Sequence, residues 1–444
     1  MKKLLAVLLA TAMMMAIFAG CSGSSSSSPA AQPSGASDSE LAKTGEELSG
    51  TLKLWTHQNE PWVPAYESDI AKFTALHPGV KIEMESFPYT DFRSKLQTSL
   101  VSGNGADIYV IFGSWASEYM PTGALSKVPD DLATLMDNDY YPSAKGGFTY
   151  DCAYYGFPLE YNTEYGGMLV NKKLMDERGL SYPTTWEELE RIADTESVLS
   201  GGLMEIRGFD FVGYDQLTNL FLSLILSNGG EYLKDDGTAV DFTTPQAVEA
   251  MTKLVSYLKD RGWNTTEGLT DYYSGGYNAL FKDMSLMCMG GPWTVSVGVE
   301  NFGLEYGKDF DYIAMPQHSQ NDLFAAETGW GYIVPENSPQ KDLAWEFLRF
   351  MAEPENMMAH NIACSQLPPC KTVALSAEYA EAMPYTKPLL DILENGRYMG
   401  SINTDLLKQN INNMFIELVT TDTYDSVEDA LKALTDNLNT LYAK

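Results

Sequence analysis

The chain runs to 444 residues, 44% hydrophobic and 12% aromatic, with 60 acidic side chains against 29 lysines and arginines. A formal charge of -31 repels nucleic acid and bare anionic substrates and leaves neutral or cationic solutes as partners. The length exceeds one typical domain of about 100–150 residues and suits two lobes.

Met1-Lys2-Lys3 is a short basic start, 4–19 is an unbroken apolar and small run with Thr11 its only polar residue, and Gly20-Cys21 follows. This is the layout of a secretory signal whose apolar core is too short for a membrane span. Phe18-Ala19-Gly20-Cys21 resembles the lipobox of bacterial lipoproteins, with Phe18 where leucine is usual. That resemblance implies a diacylglycerol on the Cys21 thiol and cleavage just before it; the alternative is an ordinary signal peptide with a chance cysteine. Loss of Lys2 and Lys3 with a leader over 1–20 takes the charge to about -33. Residues 21–49 hold serines at 24–28, Pro29 and Pro33, and few large apolar side chains. Such a segment cannot bury enough surface to offset its ordering entropy, so it reads as a flexible tether. The two acyl chains of one diacylglycerol suffice for stable anchoring.

The folded part opens with a strand over 51–55 and a polar loop over 56–64. A helix with Ile70, Phe73 and Leu76 on one face ends at His77-Pro78-Gly79. Strand 80–85, helix 89–101 and strand 107–112 complete a strand–helix–strand–helix–strand run, the pattern of a parallel α/β sheet. Ligands bind at the carboxyl ends of such strands, here 55–62, 86–89 and 113–115. Short apolar strands follow at 156–159 and 168–170, and Thr185-Trp186-Glu187-Glu188 makes a capping box. The run 217–226 contains Thr218, Asn219 and Ser223 and reads as a buried helix, not a span. Asp235-Asp236-Gly237 reads as a hairpin turn; the spacing of a calcium loop is absent. Thr244-Pro245, Ser338-Pro339 and Ser426 with Asp429 each open a helix. Trp186 and Trp345 fall on apolar helix positions and read as core.

Beyond Cys21 the cysteines are Cys152, Cys288, Cys364 and Cys370, with no CxxC pair, and the four histidines are scattered. No metal or other cofactor is expected. Cys364 and Cys370 either bridge across Pro368-Pro369 or remain two buried thiols.

A set of ordered landmarks carries a family resemblance. Leu54-Trp55, the run IAKFTALHPGVKIE from Ile70, and LVSGNGADIY from Leu100 come first. Gly156-Phe157-Pro158, Val170-Asn171-Lys172-Lys173-Leu174 and Met289-Gly290-Gly291-Pro292-Trp293 follow, then Gly329-Trp330-Gly331-Tyr332-Ile333-Val334-Pro335, Ala344-Trp345-Glu346-Phe347-Leu348 and Leu367-Pro368-Pro369. Each is weak alone; together, over about 50–370, they resemble extracellular sugar-binding proteins of the maltose-binding-protein type. The resemblance implies a type II periplasmic-binding-protein-like α/β fold, two lobes joined by a hinge of two or three crossings, with the ligand cleft between them. Lobe one would hold 50–160 and 280–330, and lobe two 161–279 and 331–444. A sugar or oligosaccharide would be captured by lobe closure and delivered, by a monomer, to the membrane permease of an importer whose ATP is hydrolysed by a separate subunit.

Sugars present apolar C–H faces that pack on aromatic rings and hydroxyls that need in-plane polar partners. The loop His57-Gln58-Asn59-Glu60-Pro61-Trp62 offers such a mixture, so Gln58, Asn59, Glu60 and Trp62 are candidate contacts. Tyr89 follows strand two beside Asp91, which is either a contact or a helix cap. Asp107 matches a position where the family often has an acid at the cleft or the sheet end. Trp115 is either core or contact. Glu160 lies at the first predicted crossing. Trp293 follows a rigid Gly-Gly-Pro turn, where the family commonly stacks an aromatic on the sugar; Trp330 stands between two glycines at the next crossing. Arg397 follows Asn395-Gly396 in lobe two.

Two rivals remain at this level. A secreted glycoside hydrolase needs two carboxylates at a set separation, for which Glu60, Asp107 and Glu160 are the candidates. The same fold could instead hold a cation such as a polyamine between carboxylates and ring faces.

Overall fold

The first sheet grows from a parallel trio in which every strand is anchored by apolar side chains. In the computed structural model, which describes residues 47–58, 62–234, 237–319 and 323–443, β1 (Ser49–His57) pairs in parallel with β2 (Gly79–Phe87) and β3 (Ile108–Phe112). The leader, Cys21, most of the tether and the turn at Asp235-Asp236 lie outside the described residues. All five residues of β3 are buried, as its unbroken apolar run requires. Two antiparallel strands complete the sheet, β14 (Trp330–Ile333) on β3 and β6 (Phe157–Pro158) on β14. The helices Val63–Leu76, Lys341–Ala352 and Pro354–Cys364 pack on it, with Phe73 against Phe347 at 5.2 Å and Asp69 bonded to His360 Nδ1 at 2.8 Å. A hairpin of β4 (Thr149–Tyr150) and β5 (Ala153–Tyr154) stands apart.

The second sheet runs β12 (Asp311–Ala314), β8 (Gly167–Val170), β11 (Ser285–Met289), β10 (Leu203–Asp210), β9 (Val198–Ser200), with β10 and β11 parallel. Its core takes the helix Tyr214–Ser227, buried nearly all round, and the helices Pro245–Lys259, Thr404–Thr420 and Val427–Tyr442. Thr185, Thr244 and Ser426 cap their helices as the sequence predicts, accepting from Glu188, Ala247 and Asp429 N–H. The helix Lys341–Ala352 departs from expectation: Gln340 is its first boundary residue and Ser338 bonds Gln340 N instead of a helical N–H. Either side of 235–236, Leu233 pairs antiparallel with Val240, flanked by Lys234 N–H to Ala239 O and Asp241 N–H to Tyr232 O. Among the described residues no helix is long and apolar enough to cross a membrane.

A third sheet of β7 (Tyr161–Asn162), β13 (Phe324–Thr328) and β15 (Gly396–Tyr398) carries the chain between the two cores. The chain leaves the first core after Leu159, returns at Trp330, and leaves again within 365–374. The lobe boundaries therefore differ from the expected ones. Strands β11 and β12 pair with β8 and β10 in the second sheet, whereas 330–364 belong to the first. Short apolar strands such as Ser285–Met289 and Trp330–Ile333 look alike in sequence, and their period does not say which sheet receives them.

Among the described residues Cys288, Cys364 and Cys370 are free thiols, so the Cys364–Cys370 bridge does not form. Cys364 lies instead 3.7 Å from His360 Nε2.

Candidate functional site

The carboxyl ends of β1 and β3 meet the start of β14 in a cluster of rings. Trp330 occupies its centre, 7% exposed. His57 stacks on it at 4.0 Å with planes 20° apart, and Trp62, Tyr89, Phe112 and Trp115 meet its edges or faces at 5.5–6.4 Å. Ring packing of this kind is rigid and favours edge-to-face pairs. Burial pushes the His57 imidazole down to about 3, so it is neutral here, with Nδ1 buried and unpartnered by protein. Tyr89 is the outermost ring, 46% exposed. Burial and the nearby Asp405 and Asp215 carboxylates of the second lobe raise its phenol above the ordinary value.

Facing these rings, the loops after β10 and β11 build a pocket lined by Tyr214, Asp215, Gln216, Tyr277, Asn278 and Trp293 with four glycines among them. Asp210, fully buried, holds this wall by accepting from Val212 N, Gly276 N and Asn264 Nδ2, and Arg207 pairs with it at 3.3 Å. Trp293 packs against both cores. Its Nε1 donates to Glu164 at 2.7 Å and its ring meets Tyr277 edge-on at 5.4 Å. Gly291 must be glycine, since a Cβ there would stand 2.7 Å from the Trp293 ring. Beneath the pocket Lys408 bonds Asp215 at 2.6 Å and Glu327 at 2.7 Å, and all but Asp215 are buried.

Several expected site residues lie elsewhere. Asp107 sits at the amino end of β3, away from the rings, and accepts from Lys53 N and Ser338 Oγ. It ties the sheet to the segment that precedes the helix Lys341–Ala352. Glu160 is buried and accepts from Trp330 N at 2.9 Å, its carboxyl filling the space that a side chain at Gly329 would need. It supports the hinge and does not open onto the cleft. Asp107 and Glu160 are thus not brought together as a hydrolase pair. Arg397 is exposed on β15 in the hinge sheet, outside the ring cluster. Gln58 is exposed at the end of β1, with its N–H bonded to Phe87 O at 2.6 Å. Asn59 and Glu60 lie outside the described residues. Trp62, Tyr89, Trp115 and Trp330 pack in one ring cluster, with Trp62, Trp115 and Trp330 buried in it, while Trp293 lines the pocket with Tyr277 and Asp215. The sequence reading passed over Tyr214, Asp215, Tyr277 and Lys408. Tyr277 in Gly275-Gly276-Tyr277-Asn278 carries the same glycine-flanked signal that marked Trp330; Lys408 sits mid-helix with no local signal.

Burial lifts Glu160 from 4.5 to about 7, and burial with the Asp215 charge lifts Glu164 to about 8. Both folded values are raised, so their contribution is fully present below pH 4.5 and is lost as pH rises through about 7 and 8. Denaturant melts should show stability falling across this window, and Glu160→Gln should flatten the lower part of the slope. A slope unchanged by Glu160→Gln would mean that this carboxyl is ionised in the fold.

The comparisons with known proteins bear on what such a cleft is for. The profile described as bacterial extracellular solute-binding protein matches residues 70–385, well over half of the chain. The chain belongs to the bacterial extracellular solute-binding proteins. A binding protein of Brucella abortus is 27% identical over 325 residues, covering 70% of this chain and 74% of the relative. A lactose-binding protein of Rhizobium radiobacter is 23% identical over 317 residues, covering 68% and 70%. The fold of this solute-binding protein is shared with the GacH receptor of Streptomyces glaucescens, solved unliganded and with acarbose, at a TM-score of 0.70 and 19% identity over 90% of this chain and 100% of the other. That likeness confirms the type II two-lobed architecture.

Proposed function

We propose that this solute-binding protein captures a sugar or oligosaccharide between its lobes and delivers it to the membrane permease of an ATP-driven importer. The observation that carries the reading is Trp293: half-buried between both cores, its N–H committed to Glu164, its ring left as one wall of a pocket that also holds Tyr277, Asp215, Gln216 and Asn278. A ring face beside carboxylate and amide groups is what a sugar needs. Tyr89, the exposed ring of the cluster and close enough to feel the Asp215 charge, supplies the opposing wall. The lactose-binding relative and the acarbose-binding neighbour support the same solute class. Closure follows because only the closed form touches solute from both lobes, so solute shifts the equilibrium toward it. The leader, Cys21 and the serine-rich segment support lipid anchoring at the extracellular face of the cell membrane, which incorporation of labelled palmitate, lost in Cys21→Ser, would establish.

A thermal-shift panel of mono- and oligosaccharides tests the reading. A sugar at a hundred times its dissociation constant should add about 2.7 kcal/mol of stability. Trp293→Ala should weaken that sugar by about 2 kcal/mol, roughly thirtyfold, and leave the fold intact. Stabilisation by polyamines alone would overturn the sugar, and shortened oligosaccharides after incubation would overturn the binder.

A further inference from the structure

The helix Thr404–Thr420 belongs by packing to the second core, to which it contributes Leu407, Ile411, Met414 and Phe415. Its first turn nevertheless reaches the first lobe. The Asp405 carboxylate accepts from the Arg93 guanidinium and, at 3.2 Å, from Trp115 Nε1. Asn403 caps the helix by accepting Leu406 N–H, and its own Nδ2 donates to Glu118 at 3.0 Å. Thr404 Oγ1 donates to Ser114 Oγ at 2.8 Å. Arg93 completes the set by lying over the Trp115 ring at 5.2 Å and reaching Glu118 at 3.4 Å. Three consecutive residues of one lobe are thus each bonded to the other lobe, through side chains that come from 93–118.

We propose that this turn is an interlobe latch, in which Asn403, Thr404 and Asp405 with Arg93, Ser114 and Glu118 set the open–closed equilibrium of the solute-binding protein. These are positioning residues. Their bonds are made by protein atoms alone and join the two lobes in this arrangement, so they favour it whatever the solute. Apparent solute affinity depends on the position of that equilibrium, so the latch tunes capture without touching the cargo. The ion pair is partly exposed, with side chains 35% and 20% accessible, so salt weakens it.

Small-angle scattering on protein stripped of carried solute by unfolding and refolding tests the latch independently of the solute's identity. Asp405→Asn should raise the ligand-free open-to-closed ratio about tenfold, read as a larger radius of gyration. The exchange Arg93→Asp with Asp405→Arg should return the radius toward that of the native protein, and high salt should enlarge the native protein but not Asp405→Asn. Glu118→Ala, which removes the acceptor of Asn403 Nδ2 and leaves Asp405 in place, gives a smaller change in the same direction and guards against a variant that fails to fold, checked by circular dichroism. An unchanged ligand-free radius in Asp405→Asn overturns the latch. If that variant keeps its ligand-free radius but loses thermal stabilisation by a probe sugar such as maltotriose, these residues are solute contacts instead.

Discussion

Trp330→Ala should cost about 3–5 kcal/mol of stability, because it empties the centre of a ring cluster that cannot collapse inward. Five rings surround the indole, and each is fixed from behind: His57 and Phe112 by strand backbone, Trp62 and Tyr89 at helix starts, Trp115 on a single helical turn. The side chain is 7% exposed, so little of the loss reflects solute contact. Trp330→Phe should recover much of it by keeping an aromatic plane under His57. Denaturant melts of both variants decide the matter. Stability equal to the native protein, with sugar binding abolished, would move Trp330 from the wall of the cleft to its surface.

Lys408→Met should lose a comparable amount at neutral pH, about 3–5 kcal/mol, through a different mechanism. Lys408 is the cation beside Glu327, which is 2% exposed and has one carboxylate oxygen with no protein partner. Removing the ammonium leaves a buried anion uncompensated. Burial already raises the Glu327 carboxyl, opposed chiefly by Lys408, so the variant can escape by binding a proton. The defect should therefore shrink as pH falls. Adding Glu327→Leu removes the stranded charge and should restore most of the stability, as an apolar pair of similar volume replaces the ion pair. A single variant as destabilised at low pH as at neutral pH would place the cost in lost packing of the lysine stem.

The parallel opening sheet, the capped helices and the glycine-flanked turns that carry Trp293 and Trp330 were legible because each rests on local pattern. A hydrophobic period marks a strand, a threonine before a glutamate marks a helix start, and glycines beside an aromatic mark a turn. Asp107 and Glu160 misled for a common reason. An acid at a strand end or a crossing can serve the solute or the scaffold, and only the partners decide: Ser338 for one, Trp330 N–H for the other. The latch and the Lys408 cluster could not be read at all. Arg93 meets Asp405 across 312 positions and Lys408 meets Glu327 across 81, and nothing local announces either partner.

The return of the chain to each core has a consequence for its biogenesis. The first sheet is incomplete until Trp330–Ile333 has been added, and the second core lacks its cover until Leu407 and then Leu438 arrive near the end of the chain. Contacts of such long sequence separation form slowly, since loop closure must come before any of them is rewarded. A nascent chain therefore cannot settle its second lobe before synthesis is nearly finished, nor its first before the residues up to Val373 are made. Were the chain exported before folding, that delay would keep it threadable.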